Sequence, residues 1–393
     1  MTARHARRPT LILTALGLAA AMAVASSLAP RMVAGAKEHI RALSPDAVRP
    51  QPTGAFPVGR LSVEVDVGTP APGRVDVWYP ADADRIGVRD RVSRITERFL
   101  HPSKAAAPWG AAPHPGRHPG ILYIPSWFST RDENSFALAN LASHGFVVAA
   151  VDDIIHGAPL TGDDRTAQVA SLDYASTARF EASRIVSRRR AALAGRAASS
   201  AIDTVFAHPA VAPYVDRARI GVLGFSFGGS VATSLARAGT HIRAAINLDG
   251  DVIATESWPP AVPYLFLTSD VRYPTAEDLA SSDMAFRFES VTTRDTYDLH
   301  LEPDLPAQCR AFSVRQAVHE TFSDRLLMPS FRDARHERSL DRLDLWSDIN
   351  RLVVSFLAAH LRDATDAREI DVPAARFGSL PRRGQHSSEL TGK

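Results

Sequence analysis

The tightest constraint on this chain lies between residues 219 and 239. An apolar run, Arg219 to Leu223, leads into Gly224-Phe225-Ser226-Phe227-Gly228. A helix-like run, Ser230 to Arg237, leads out and is stopped by Gly239. The pentapeptide has the form G-x-S-x-G, and a serine on such a strand-to-helix turn projects its hydroxyl from the end of a sheet. A side chain two positions either side of Ser226 would collide with the neighbouring strand or helix, so the tight backbone suits residues without Cβ. Three fixed residues in five arise easily by chance. The strand before, the helix after and the additional Gly229 single this one out as a nucleophile elbow.

The flanking sequence supplies a matching frame. Leu61 to Val67 alternates as a half-exposed strand does, and Val75 to Tyr79 reads as its partner. Residues 84–118, charged and then proline-rich, read as a surface excursion. Gly120–Ile124 and Phe146–Val151 are short unbroken apolar runs, which suit strands buried on both faces of a parallel sheet. Phe136 to Ala142 is helical in pattern, and 176–206 reads as one long helix or two. Further strands are expected at Ile220–Leu223, Ala244–Leu248, Tyr264–Leu267 and Ala311–Val314. A closing helix over 340–362 carries the stripe Leu343, Trp346, Ile349, Val353 and Phe356. Strands alternating with helices predict an α/β fold with a mainly parallel central sheet. The domain is expected over 58–365, after a linker at 31–57 with helical character near Ala34–Leu43, and before a polar tail at 366–393, unstructured from about 377.

A serine hydroxyl is a poor nucleophile at neutral pH and needs a general base, which in turn needs an acid to fix its tautomer. In elbow-bearing folds they follow in the order serine, acid, histidine. Two aspartates end downstream strands, Asp249 and Asp270, with Asp251 a weaker third. His319, in Val318-His319-Glu320-Thr321-Phe322, follows the last strand and precedes the closing helix, where a catalytic loop belongs. His300, His336 and His360 lack that setting. Two backbone N–H donors are also needed for an oxyanion. One should come from Phe227, the residue after the serine, and one from the loop Pro125-Ser126-Trp127-Phe128.

The composition excludes several alternatives. A formal net charge of +2 gives no reason to expect a nucleic-acid partner. Arg188-Arg189-Arg190, the densest basic cluster, reads as the solvated face of a helix. Cys309 is the sole cysteine, so no disulfide forms within the chain, and it reads as a structural thiol. No His, Cys and carboxylate cluster has zinc-like spacing and no glycine-rich phosphate loop occurs, so no metal or cofactor is expected. At the N-terminus, Arg4, Arg7 and Arg8 precede an apolar stretch from Leu11 to Ala29. Residues 1–30 thus read as an export signal or a membrane anchor, and the domain is expected outside the cytoplasm, secreted or anchored through 11–29.

Four segments carry a resemblance: Leu141–Val151, Gly224–Gly229, Ala245–Asp249 and Val318–Asp324. Together they resemble the platelet-activating-factor acetylhydrolase branch of the α/β-hydrolases, with a broader likeness to bacterial polyester hydrolases, cutinase-like and dienelactone hydrolase-like enzymes. The resemblance implies the α/β-hydrolase fold, Ser226 as nucleophile, His319 as base, Asp249 as acid and Trp127 as the second oxyanion donor beside Phe227. The polyester hydrolases would instead favour Asp270. Many relatives carry His-Gly before the donor, where this chain has Pro125-Ser126. The expectation is an exported serine esterase acting on short-acyl or lipid esters. A polyester or cyclic-ester hydrolase using Asp270, and a non-catalytic surface protein that binds a partner on the same fold, are the alternatives.

Overall fold

A computed structural model of the chain describes residues 49–66, 73–101, 104–152, 175–239, 241–252, 258–302, 305–328, 331, 339–362, 370 and 372–382. The segment 1–30, the helix expected near Ala34–Leu43, and His336 lie outside them. Among the described residues no helix is long and apolar enough to cross a membrane.

In chain order the strands are β1 (Val58–Val65), β2 (Gly73–Pro80), β3 (His118–Ile124), β4 (Val147–Val151), β5 (Val215–Phe225), β6 (Ala244–Leu248), β7 (Tyr264–Thr268), β8 (Cys309–Val314) and β9 (Phe377–Gly378). The helices are α1 (Val88–Leu100), α2 (Ser135–Ser143), α3 (Thr177–Val205), α4 (Phe227–Ala238), α5 (Ala276–Leu279), α6 (Met284–His300) and α7 (Ser339–Leu361). The strands form one sheet in the order β1-β2-β4-β3-β5-β6-β7-β8-β9. From β4 to β8 all pairs are parallel, with antiparallel strands at both edges. This is the α/β-hydrolase fold.

The period of two along each buried strand sends side chains to two cores. In β3, Ile121 and Tyr123 join the core roofed by α2 and α7, and Leu122 and Ile124 join the one roofed by α3 and α4. Because both faces are covered, these strands read as continuous apolar runs. After β3 the chain turns to β4 on one side, then crosses to β5 on the other. Ligands of open α/β sheets bind at such a switch point, beyond the carboxyl ends of the strands. The loops after β3 and β5 are therefore neighbours there.

Three expectations need correction. Residues 84–118 hold the thirteen-residue helix α1. The tail does not start at 366: Phe377 and Leu380 are buried, and β9 pairs with β8 through Val314–Phe377. Burying one such phenylalanine is worth about 1.5–3 kcal/mol, which helps anchor so short an edge strand. The end of the supposed linker is docked, since Thr53 N–H donates to Asn140 Oδ1 (2.9 Å) and Phe56 N–H to Ser143 O (3.0 Å). Residues 176–206 form one helix, α3, whose N-cap Ser176 accepts from Arg179 N–H. Helix α6 has no clean apolar stripe, so periodicity did not reveal it; its buried positions include Ser290, Thr296 and His300.

Candidate active site

The elbow is built by steric exclusion. Ser226 has φ 56° and ψ −121°, a conformation L-residues rarely adopt. A Cβ on Gly224 would lie 1.9 Å from Gly228 O, and one on Gly228 would lie 2.1 Å from Ile124 O. Strand β5, helix α4 and the end of β3 approach closer than any side chain allows. Ser226 N–H donates to Leu248 O at the end of β6 (2.8 Å), which locks the turn.

His319 opens a short 3-10 turn after β8, and its ring lies against Phe225, with centroids 5.0 Å apart. Its Nε2 lies 3.0 Å from Ser226 Oγ and accepts the hydroxyl proton. Its Nδ1–H donates to Asp249 Oδ2 at 2.7 Å. Burial alone would lower the imidazole pKa; the hydrogen bond and charge of Asp249 outweigh it and raise the pKa above 6.5.

Asp249 follows β6 with φ 53° and its N–H donates to Leu267 O (2.7 Å). Oδ1 accepts from Thr268 Oγ1 (2.8 Å) and Ser269 N–H (2.7 Å), and Oδ2 accepts from Ser269 Oγ and His319. Burial would raise this carboxyl, but the His319 bond and charge and the Ser269 donors hold it below its ordinary value. Asn247 braces the turn: its Oδ1 accepts from Gly250 N–H (2.7 Å) and its Nδ2 donates to Gly250 O (2.8 Å).

The backbone N–H groups of Phe227 and Trp127 have no acceptor among the described residues. Phe227 is the first residue of α4, where helix N–H groups have no partner within the helix. The two rings pack at 4.8 Å, with Phe128 5.5 Å from Trp127. The loop does without a glycine at Ser126. Glu133 accepts from Ser126 N–H (2.8 Å) and Ser126 Oγ (2.5 Å), and Phe128 makes the left-handed turn at φ 58°. The next residues tie this loop to the histidine loop. Asn134 Nδ2 donates to Phe322 O (2.9 Å), and Asp324 accepts from Ser135 Oγ (2.9 Å) and Phe136 N–H (3.1 Å).

The structure thus brings Ser226, His319 and Asp249 into one chain of hydrogen bonds, with Trp127 and Phe227 beside the serine. It does not bring Asp270 there. That carboxylate accepts from Gln316 N–H (2.8 Å) and its N–H donates to Ala317 O (2.9 Å), pinning the approach to His319. His300 is buried against Phe266 (4.1 Å), donates from Nδ1 to Thr296 O, and is pushed down to about 4 by burial. Cys309 is half-buried, and burial pushes its thiol up to about 11, as suits an inert structural group. Arg190 departs from the solvated-face reading, since its guanidinium lies 5.1 Å from the centre of the Trp127 ring. Sequence reasoning missed Thr268, Ser269, Glu133, Asn247 and Asp324. Their one signal was position, next to strand ends that carry candidate residues.

Comparison with known proteins agrees with this architecture. Residues 106–296 match the dienelactone hydrolase family, a stretch that holds Trp127, Ser226, Phe227 and Asp249 but ends before His319. No curated protein matches the chain. Among solved structures, a ferulic acid esterase from Streptomyces cinnamoneus superposes with a TM-score of 0.53 at 21% identity, covering 81% of this chain and 95% of that one.

Proposed function

We propose that the chain, an α/β-hydrolase whose residues 106–296 match the dienelactone hydrolase family, is a serine esterase for short-acyl esters. Ser226 is the nucleophile, His319 the base and Asp249 the acid. The observation that carries the reading is the unbroken chain from Ser226 Oγ through His319 to Asp249 Oδ2.

As Ser226 Oγ attacks the ester carbonyl, His319 Nε2 takes its proton and Asp249 stabilises the imidazolium. The N–H groups of Trp127 and Phe227 receive the developing oxyanion. His319 returns the proton to the departing alkoxide, leaving an acyl-enzyme. Water, deprotonated by His319, then releases the acid and restores Ser226. We take the packed rings of Trp127, Phe128 and Phe227 as the wall of the acyl site, which would favour a compact acyl group. The same wall supports a flat aromatic acyl group as a second reading, in keeping with the ferulic acid esterase likeness. Lipid esters of the platelet-activating-factor type share the short acyl chain. The polyester reading is disfavoured, because it needs Asp270 on His319 and that carboxylate is engaged by Gln316.

The test is hydrolysis of p-nitrophenyl acetate and p-nitrophenyl ferulate by the wild type and Ser226→Ala, together with fluorophosphonate labelling. Loss of turnover and of labelling in the variant is expected. Unchanged hydrolysis would sink the assignment, and a wild type that neither turns over nor labels would favour the binding protein. We also propose export through residues 1–30, which cell fractionation tests, while the mature N-terminus, read by mass spectrometry, tells a cleaved signal from an anchor.

A further inference from the structure

Helix α1 is mounted with its polar face inward. At 3.6 residues per turn, Asp90, Ser93 and Glu97 share one face and Val88, Val92 and Ile95 the opposite one. The polar three are half-buried, while Val88, Val92 and Ile95 are 78%, 56% and 67% exposed. An ordinary surface helix does the reverse.

The charges are sorted as well. Arg91 and Arg98 border the apolar strip on one side and Arg89 on the other; with Arg94, all four are exposed and form no ion pair among the described residues. Both acids of the helix, Asp90 and Glu97, are half-buried, and Asp90 caps the helix's own start by accepting from Gly87 N–H (2.9 Å). The outward surface is therefore an apolar strip edged by Arg91 and Arg98 on one side and by Thr96 and Arg89 on the other, so every charge beside it is positive. Low overall hydrophobicity combined with such segregation is the pattern of helices that lie in the plane of a lipid interface.

We propose that α1 is an interfacial helix that seats this face on an anionic lipid surface. Val88, Val92 and Ile95 enter the acyl boundary, and the arginines meet lipid phosphates. Charge argues against two other occupants. A second copy would set one arginine-edged strip against another. The chain's own residues 31–48 carry Arg31, Lys37 and Arg41 against Glu38 and Asp46. They lead directly to Arg49, which already feels the repulsion of Arg98. Just past α1, Lys104 Nζ donates to Asp132 O (3.0 Å) and Ala105 N–H to Ser135 Oγ (2.9 Å), so the helix leads to the loop that carries Trp127. The proposal does not depend on the esterase reading.

The test places an environment-sensitive dye on the full-length chain. Val92→Cys labels the outer face and Ser93→Cys the inner one, both with Cys309→Ser. Vesicles of phosphatidylcholine alone are compared with vesicles containing about one-third phosphatidylglycerol. An unchanged far-ultraviolet circular-dichroism spectrum and thermal unfolding midpoint show that each labelled protein is folded. The dye at position 92 should shift to the blue with anionic vesicles and barely with neutral ones, while the dye at 93 stays unmoved. Arg91→Gln with Arg98→Gln should weaken the titration by about fivefold per charge removed. The proposal fails if position 92 stays in water while the chain sediments with vesicles, because another segment is then the binder. It fails equally if position 92 shifts with rising protein concentration and no lipid, because a second copy then covers the strip.

Discussion

Gly228→Ala probes the oxyanion loop without touching a reacting group. The new Cβ would stand 2.1 Å from Ile124 O and 2.6 Å from Pro125 O, whereas ordinary contact begins at 3.4 Å. Both obstacles are backbone, so no rotamer change relieves them. The end of β3 and its loop must retreat from α4 by about 1.3 Å. A donor displaced that far goes from about 2.9 Å to about 4 Å and no longer bonds. If Trp127 N–H is that donor, kcat should fall about 10²–10³-fold, with KM changed far less. The same overpacking should cost about 1–3 kcal/mol of stability, which leaves the protein folded at room temperature. Steady-state kinetics on p-nitrophenyl acetate, run beside a thermal unfolding curve, read both numbers. A folded variant that keeps kcat within about threefold of the wild type would refute the role of this loop as an oxyanion donor.

Asp249→Asn should lower kcat about 10⁴-fold by leaving His319 in the wrong tautomer, while Asp270→Asn, which only loosens the Gln316 turn, should cost about tenfold or less; equal losses in the two would contradict the assignment. A base must work as neutral imidazole and the folded pKa of His319 is raised, so with His319 in that role the acid limb of kcat/KM should lie above pH 6.5. In Asp249→Asn the raising partner is gone, so a pH profile of the residual activity should show that limb displaced to lower pH. Gly195→Ala, within α3 where a new Cβ meets nothing within 4 Å, should add about 0.5–1 kcal/mol of stability and leave kcat unchanged, as calorimetry and kinetics would show.

The parallel core was legible because burial on both faces writes a strand as an unbroken apolar run. Ala244–Leu248 was bounded from sequence as the structure has it. Helix α1 was read as a charged excursion because its outward apolar face breaks the rule that relates pattern to burial. Strand β9 was missed because two residues held by pairing and one buried phenylalanine leave no periodic signal. At the candidate site, Ser226 and His319, which lie 3.0 Å apart, were legible by type and order, since few residues can act as nucleophile or base. The choice between Asp249 and Asp270 was not, because it turns on a chain reversal. Both end adjacent parallel strands, and only the backbone of each turn decides which carboxylate meets the imidazole.

That backbone also shows how the site is held. Among the described residues five non-glycine positions have positive φ, and four of them fall one in each active-site loop: Phe128, Ser226, Asp249 and Gln316. Conformations of this kind cost of order 1–3 kcal/mol each and persist only where surroundings impose them. Each loop has its own constraint. Glu133 grips Ser126, and Leu248 O holds Ser226 N–H. Asn247 brackets Gly250 beside Asp249, and Asp270 holds Gln316 N–H. The two loops that must meet across the serine are joined to each other through Asn134 and Asp324. Because every clamp ends on a backbone group, it sets where a loop runs rather than what the loop does. The aspartate that competed with Asp249 in the sequence therefore has a part of its own: it fixes the turn from which His319 reaches Ser226.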